Sequence, residues 1–226
     1  MGMNLFRALS YKEWMKTRRQ VLVFFLLFVA VTVYSYIDLT YAIRMNEAVN
    51  VWYAFIFQDA AAAPLMMYVM PLAGISLAVV QYVPEMTNKR FKLTLHLPAS
   101  ENRIVTAMLL YGYAVLAVLY LLSALVLAFV MHLLLPVEVV GRMLQQLLPW
   151  MAAGMAGYGF AAWICIEPQW KQRILTIMLA LGLMAVFFVS LKPGAYSGFG
   201  WGMLLLVVAS FFFPFYACIR FKQGVQ

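Results

Sequence analysis

From Ile104 to Leu135 the chain carries no Asp, Glu, Lys or Arg. A helix needs about 20 apolar residues to cross the hydrocarbon core of a bilayer, and this run exceeds that. Inside lipid the backbone must satisfy its own hydrogen bonds, which leaves helices and closed barrels as the spanning structures. A barrel strand would read as a segment of about ten residues with alternating polarity. The run is continuous instead, so it predicts a helix, tilted or projecting from the membrane because of its length. Five more apolar runs follow the same pattern. The spans are expected at about 21–43, 60–83, 104–135, 147–166, 174–191 and 200–219. The first has its apolar body from Val21 to Ile37, with Asp38 and an apolar tail to Ile43 behind it.

Composition excludes the soluble alternative. The chain is 66% hydrophobic and 11% charged, with a mean hydropathy of +0.89. A soluble domain averages about 45–50% apolar and about 25% charged residues. The expected fold is an all-α integral membrane protein, with residues 1–226 forming a single transmembrane domain. The N-terminal stretch does not read as a cleavable signal peptide: its basic region is long, and the run after it is long enough to span.

Charge then orients the spans. With the N-terminus in the cytoplasm, every Lys and Arg except Arg44, Arg142 and Lys192 falls on the inner side. Short inner loops collect Lys and Arg, so both termini are expected to be cytoplasmic, in a multi-pass protein of the cytoplasmic (inner) membrane. The net charge of +8 is a topology signal here rather than a nucleic-acid surface, because no basic patch exists outside the segment ends. No nucleic-acid partner is expected; membrane lipid is.

Nothing in the sequence points to covalent chemistry. His96 and His132 fall on opposite sides of the expected membrane and cannot share a site. No HExxH, GxSxG or Walker A pattern occurs. No Asp, Glu, Lys or Arg lies at mid-span, where such residues mark ion and proton paths. Cys165 and Cys218 lack a partner at metal-ligand spacing. The abundant methionines, among them Met66, Met67, Met70, Met151 and Met155, read as packing rather than as a soft-metal path. Trp52, Tyr53, Trp150, Trp170 and Trp201 sit near span ends, as interface aromatics do. No catalytic, cofactor or metal site is expected in this chain.

Four features go beyond spanning. Residues 1–20 mix basic and apolar side chains, with Leu5, Phe6 and Leu9 on one side of a helix, and predict an interfacial helix ahead of the first span. Pro64 and Pro71 fall within the expected second span, where each removes a backbone hydrogen bond. A kinked helix lining a pathway makes Pro64, Met67 and Pro71 candidate pathway residues. The outer segment 190–202 reads equally as a flexible loop or as a re-entrant turn. The inner loop 84–102 holds a cluster of cations between two prolines. Pro84 is placed to end the second span, and Pro98 biases Leu97 away from helix. A short helix between them would set Glu85, Lys89 and Lys92 on one face, with Phe91, Leu93 and Leu95 as exposed apolar bulk. The plain alternative is a basic loop that only fixes topology.

The layout resembles a permease subunit of the ABC-2 type, the transmembrane half of ATP-binding-cassette exporters. The resemblance is carried by "NLFRALSYKEWMKTRR", similar to the family's elbow helix, and by the order Glu85, Lys89–Arg90, Leu93, Leu95, Pro98, Ser100, similar to its coupling loop. Asn88 and Lys89 stand where many members carry glycine. The resemblance implies six spans behind an elbow helix, a cytoplasmic coupling helix between spans two and three, and a re-entrant region at 190–202. It implies pairing with a second permease copy, identical or paralogous, and docking of two ATPase subunits that carry ATP and magnesium. Glu85, Lys89, Arg90, Phe91, Lys92 and Leu95 would form the ATPase-coupling interface, with Phe91 and Leu95 as anchors. The cargo would be hydrophobic or amphipathic and would leave the cytoplasm. The competing readings are a non-transporting anchor or assembly subunit, and a channel or ion-coupled carrier.

Overall fold

A computed structural model describes residues 2–87 and 100–222, and every regular element among them is helical. Seven α-helices follow in order: α1 Gly2–Asn46, α2 Ala48–Phe57, α3 Met66–Thr87, α4 Glu101–His132, α5 Val137–Ile166, α6 Trp170–Ala185 and α7 Gly200–Lys222. Short 3₁₀ turns at Val186–Phe188 and Ser197–Phe199 flank the loop between α6 and α7. Six of the helices are long and apolar enough to cross a membrane; α2, with 10 residues, is not.

The first helix departs from expectation. It runs 45 residues without a break, about 68 Å at roughly 1.5 Å per residue, twice the hydrocarbon core of about 30 Å. No proline occurs in it, and its one glycine is the first residue, so nothing interrupts the hydrogen-bond ladder. Residues 2–20 therefore continue the spanning helix and do not form a separate elbow. They are also packed on one side: Leu9, Glu13, Thr17, Phe24, Phe28, Val31, Ser35 and Leu39 make one buried stripe at helical spacing.

The second span is shorter at its start and longer at its end than the sequence suggests. Pro64 lies in the turn before α3, which opens at Met66. There its carbonyl accepts from the Met67 N–H at 3.2 Å. Proline is tolerated where a helix begins, because the missing donor has no intrahelical partner anyway. It is thus a start signal, and it kinks nothing. Pro84 does not end the helix either; α3 continues through it to Thr87. The residues before Pro64 form the unanticipated α2 and an irregular link. Glu47, at φ 64°, makes the sharp bend out of α1.

The centre of the molecule is α5, which packs most extensively against α3 and α7, while α1 packs along α4. The crossing of α3 and α5 is set by two glycines. A Cβ on Gly74 would stand 1.9 Å from the Gly154 carbonyl oxygen, and one on Gly154 would meet the Tyr120 hydroxyl at 2.1 Å. Without a hydrophobic drive between helices in lipid, such close backbone approach is a main source of association. Gly159 repeats the device against α7, where a Cβ would fall 2.5 Å from the Ser210 carbonyl oxygen.

The α2 segment and the loop between α6 and α7 are fastened to this core by polar contacts. Arg142 donates to the Ile56 carbonyl at 2.7 Å and so holds the C-terminal turn of α2. Gln146 donates to the Leu191 carbonyl at 3.1 Å. The 190–196 segment closes on itself as a turn: the Tyr196 hydroxyl donates to the Val186 carbonyl and accepts from the Ser190 N–H. Gly194 supplies the positive φ of 74° that this turn requires.

Candidate functional site

The polar groups concentrate at one end of the bundle, where α1 meets α3. Glu85, in the last turn of α3, is only 1% exposed. Its carboxylate oxygen Oε1 is held by Lys12 at 3.0 Å and by Lys16, both from α1. Lys16 also bridges to Glu13 at 2.9 Å, and Glu13 is fully buried. One turn on, the Thr17 hydroxyl donates to the Glu13 carbonyl and shares a 2.6 Å bond with the Tyr111 hydroxyl of α4. Two carboxylates and two ammonium groups thus join α1 to α3, two cations against two anions, and the hydroxyl pair adds α4. Each charge is expensive to bury alone and compensated only while its partners stay.

A second clamp closes the same end on the far side of α5. Arg220 of α7 reaches Glu167 at 3.3 Å and donates to the Gln169 amide oxygen at 2.9 Å. Arg173 donates to the Glu167 carbonyl at 2.7 Å. The turn between α5 and α6 is therefore pinned to the end of α7.

Between these clamps and the loops at the opposite end lies a neutral network. Gln81 of α3 donates to the Met108 carbonyl of α4 at 3.0 Å, and its amide oxygen accepts from Tyr158 of α5 at 2.8 Å. Tyr113 and Ser210 share a 2.9 Å bond between α4 and α7. Tyr120 donates to the Met70 carbonyl at 2.7 Å, beside the Gly74–Gly154 contact. These residues position helices; none forms a nucleophile and base pair, and no group of three or more metal-ligating side chains occurs among the described residues.

The sequence-derived candidates separate on this frame. Glu85 is expected to face outward in register with Lys89 and Lys92; it faces inward, bound to α1. Lys89, Arg90, Phe91, Lys92 and Leu95 lie outside the described residues. Pro64 is exposed at the opening turn of α3, Met67 is half-buried and Pro71 is buried within the helix. The structure does not bring these three together around a cavity. A groove of ≈ 1080 Å³ lies between α1 and α4, and a second of ≈ 470 Å³ lies between the C-terminal end of α1, α2 and Ala60–Ala62; neither is lined by them.

Sequence reasoning missed the Lys12–Glu85 and Lys16–Glu85 bridges because their partners stand some seventy residues apart, and no local spacing reports such a pair. It also missed the packing code of α5. The signal was present in "AAGMAGYGFAA", where Ala153, Gly157 and Ala161 repeat every fourth residue as small residues do at membrane helix contacts.

Fold and site together define a multi-pass α-helical membrane protein whose ion pairs to buried carboxylates, among the described residues, lie at one end. No protein-family model matches the chain, and neither a curated protein nor a solved structure does.

Proposed function

We propose that this chain is the membrane-spanning permease subunit of an ATP-driven exporter of the ABC-2 type. The observation that carries the reading is the double bridge from Lys12 and Lys16 to Glu85. It ties the basic N-terminal part of α1 to the last turn of α3, immediately ahead of the segment that resembles a coupling loop. A push delivered to that segment by an ATPase would pass into two helices at once. Lys89, Arg90, Phe91, Lys92 and Leu95 carry the contact with the ATPase, apolar anchors giving affinity and cations giving register. Glu85 acts one step behind, as the joint between lever and bundle.

On this reading both termini are cytoplasmic, and the chain pairs with a second permease copy. ATP and magnesium belong to the partner ATPase. The cargo is hydrophobic or amphipathic, since no ionisable group lies at mid-span to favour an ion.

A non-transporting anchor or assembly subunit is the second reading, favoured by the tight Gly74–Gly154 crossing, which fills the centre of a single chain. Purification of the tagged full chain from its native membrane separates the two. Recovery with an ATP-binding-cassette subunit whose hydrolysis rises when cargo is added supports the permease. Recovery with that subunit but without cargo-stimulated hydrolysis supports the anchor. A stable chain that never associates with an ATPase sinks the proposal.

A further inference from the structure

The ≈ 1080 Å³ groove between α1 and α4 has two unlike ends. Along most of its length it is lined by apolar side chains, among them Val21, Phe25, Val118 and Leu122. At the end nearer the N-terminus of α1 it is lined by Arg18, Arg19 and Trp14. No acidic side chain lines it, and neither arginine has an ion pair or hydrogen bond with any described residue. Trp14, Leu22 and Val118 are exposed, so the groove opens to the surroundings.

Its dimensions fit one leaflet. From Trp14 to Phe25 the α1 axis advances about 17 Å at roughly 1.5 Å per residue, close to half of a hydrocarbon core of about 30 Å. Guanidinium groups at the interface pair in a bidentate way with phosphate. Arginines can snorkel to that depth while their stems line an apolar wall, and tryptophan favours the same level. An apolar helix from a second copy would fill the wall and leave both arginines without counter-charge. A phosphate-bearing lipid fills the wall and supplies the charge.

We infer that this groove binds one anionic phospholipid from the leaflet at the N-terminal end of α1, the cytoplasmic leaflet on the proposed orientation. Its phosphate sits at Arg18 and Arg19, and an acyl chain lies along Val21, Phe25, Val118 and Leu122. Basic pockets between spanning helices select acidic headgroups in this way. The inference rests on membrane embedding alone and not on the permease reading.

The test is native mass spectrometry of the full chain released from nanodiscs of equal phosphatidylglycerol and phosphatidylcholine. One phosphatidylglycerol is expected to stay bound in preference to phosphatidylcholine. In the double variant Arg18→Gln/Arg19→Gln that preference is expected to fall about thirtyfold, from two basic side chains near the surface. Val118→Trp, which fills the wall, is expected to reduce retention of either lipid. Lys192→Gln, at the other end of the bundle, leaves both unchanged. Equal retention of the two lipids by the unmodified chain, or unchanged preference in the double variant, overturns the inference. So does a Val118→Trp chain that loses a dimer while keeping its lipid, which would assign the groove to a second copy.

Discussion

Glu85 illustrates how a charged residue near a membrane can mislead a sequence reading. Its spacing to Lys89 and Lys92 suits a helix face turned toward a partner, yet the carboxylate is directed into the bundle and is bound by Lys12 and Lys16. The physical preference follows from geometry: the N-terminal part of α1 continues beside the last turn of α3, so its lysines come within ion-pair distance of the carboxylate. Removing both lysines would take two cations from the buried carboxylate. Lys12→Gln/Lys16→Gln is expected to destabilise the folded chain by about 3–5 kcal/mol, as broken buried pairs do. Adding Glu85→Gln to that double variant should recover much of the loss, because the buried charge that the lysines compensated is gone. Thermal unfolding in detergent measures both. A triple variant no more stable than the double would mean that the bridge is not what holds these helices. The neutral network makes a smaller claim. Tyr158→Phe leaves the Gln81 amide oxygen without its donor and should cost about 1–3 kcal/mol, read by the same unfolding measurement.

The spanning helices were readable from apolar length alone, because a membrane rewards continuous apolar runs wherever they occur. Their ends were less readable. Proline is ambiguous in one dimension: Pro64 opens α3, Pro71 sits buried inside it, and Pro84 is absorbed in its last turn. Only the neighbouring helices decide which of these roles a proline takes. The elbow expectation failed for a related reason. Basic and apolar residues alternate in 2–20 as they would in an in-plane helix, but no Pro or Gly separates them from the span, and Lys12 and Lys16 find Glu85 on α3 while Thr17 finds Tyr111 on α4. Helix contacts, by contrast, rest on the smallest residues, and these make a sharp prediction. Gly74→Ala would drive a methyl group against the Gly154 carbonyl oxygen, with an overpacking cost of about 1–3 kcal/mol. Gly182→Ala on α6 meets nothing within 4 Å and should be neutral or stabilising by about 0.5–1 kcal/mol, the ordinary helix preference for alanine. Equal unfolding temperatures for the two variants would mean that the α3–α5 crossing is looser than described.

For the whole molecule, the helices divide into a packed core and a poorly covered periphery. In α5, 72% of its most apolar 18-residue window is buried, whereas in α6 the corresponding figure is 17%. The helix α6 touches its own chain mainly through Thr176, Ala180 and the 3₁₀ turn after it. Met178 and Leu181 are 70% and 66% exposed. A core closed by the Gly74–Gly154 contact offers a substrate little room within one chain, so a permease of this construction requires a pathway formed between copies. The helix with the least intramolecular packing is then the natural contributor to that boundary. Two-fold pairing brings a residue near the axis opposite its own copy. Single cysteines introduced by Met178→Cys or Leu181→Cys, in a chain with Cys165 and Cys218 replaced by alanine, are therefore expected to form disulfide-linked dimers on oxidation in membranes. Met70→Cys, whose parent side chain is fully buried, should remain monomeric under the same treatment. Non-reducing gel electrophoresis reads the result. Cross-linking at position 178 or 181 but not at 70 would establish self-pairing along α6. Its absence at both would remove α6 from a self-pairing boundary.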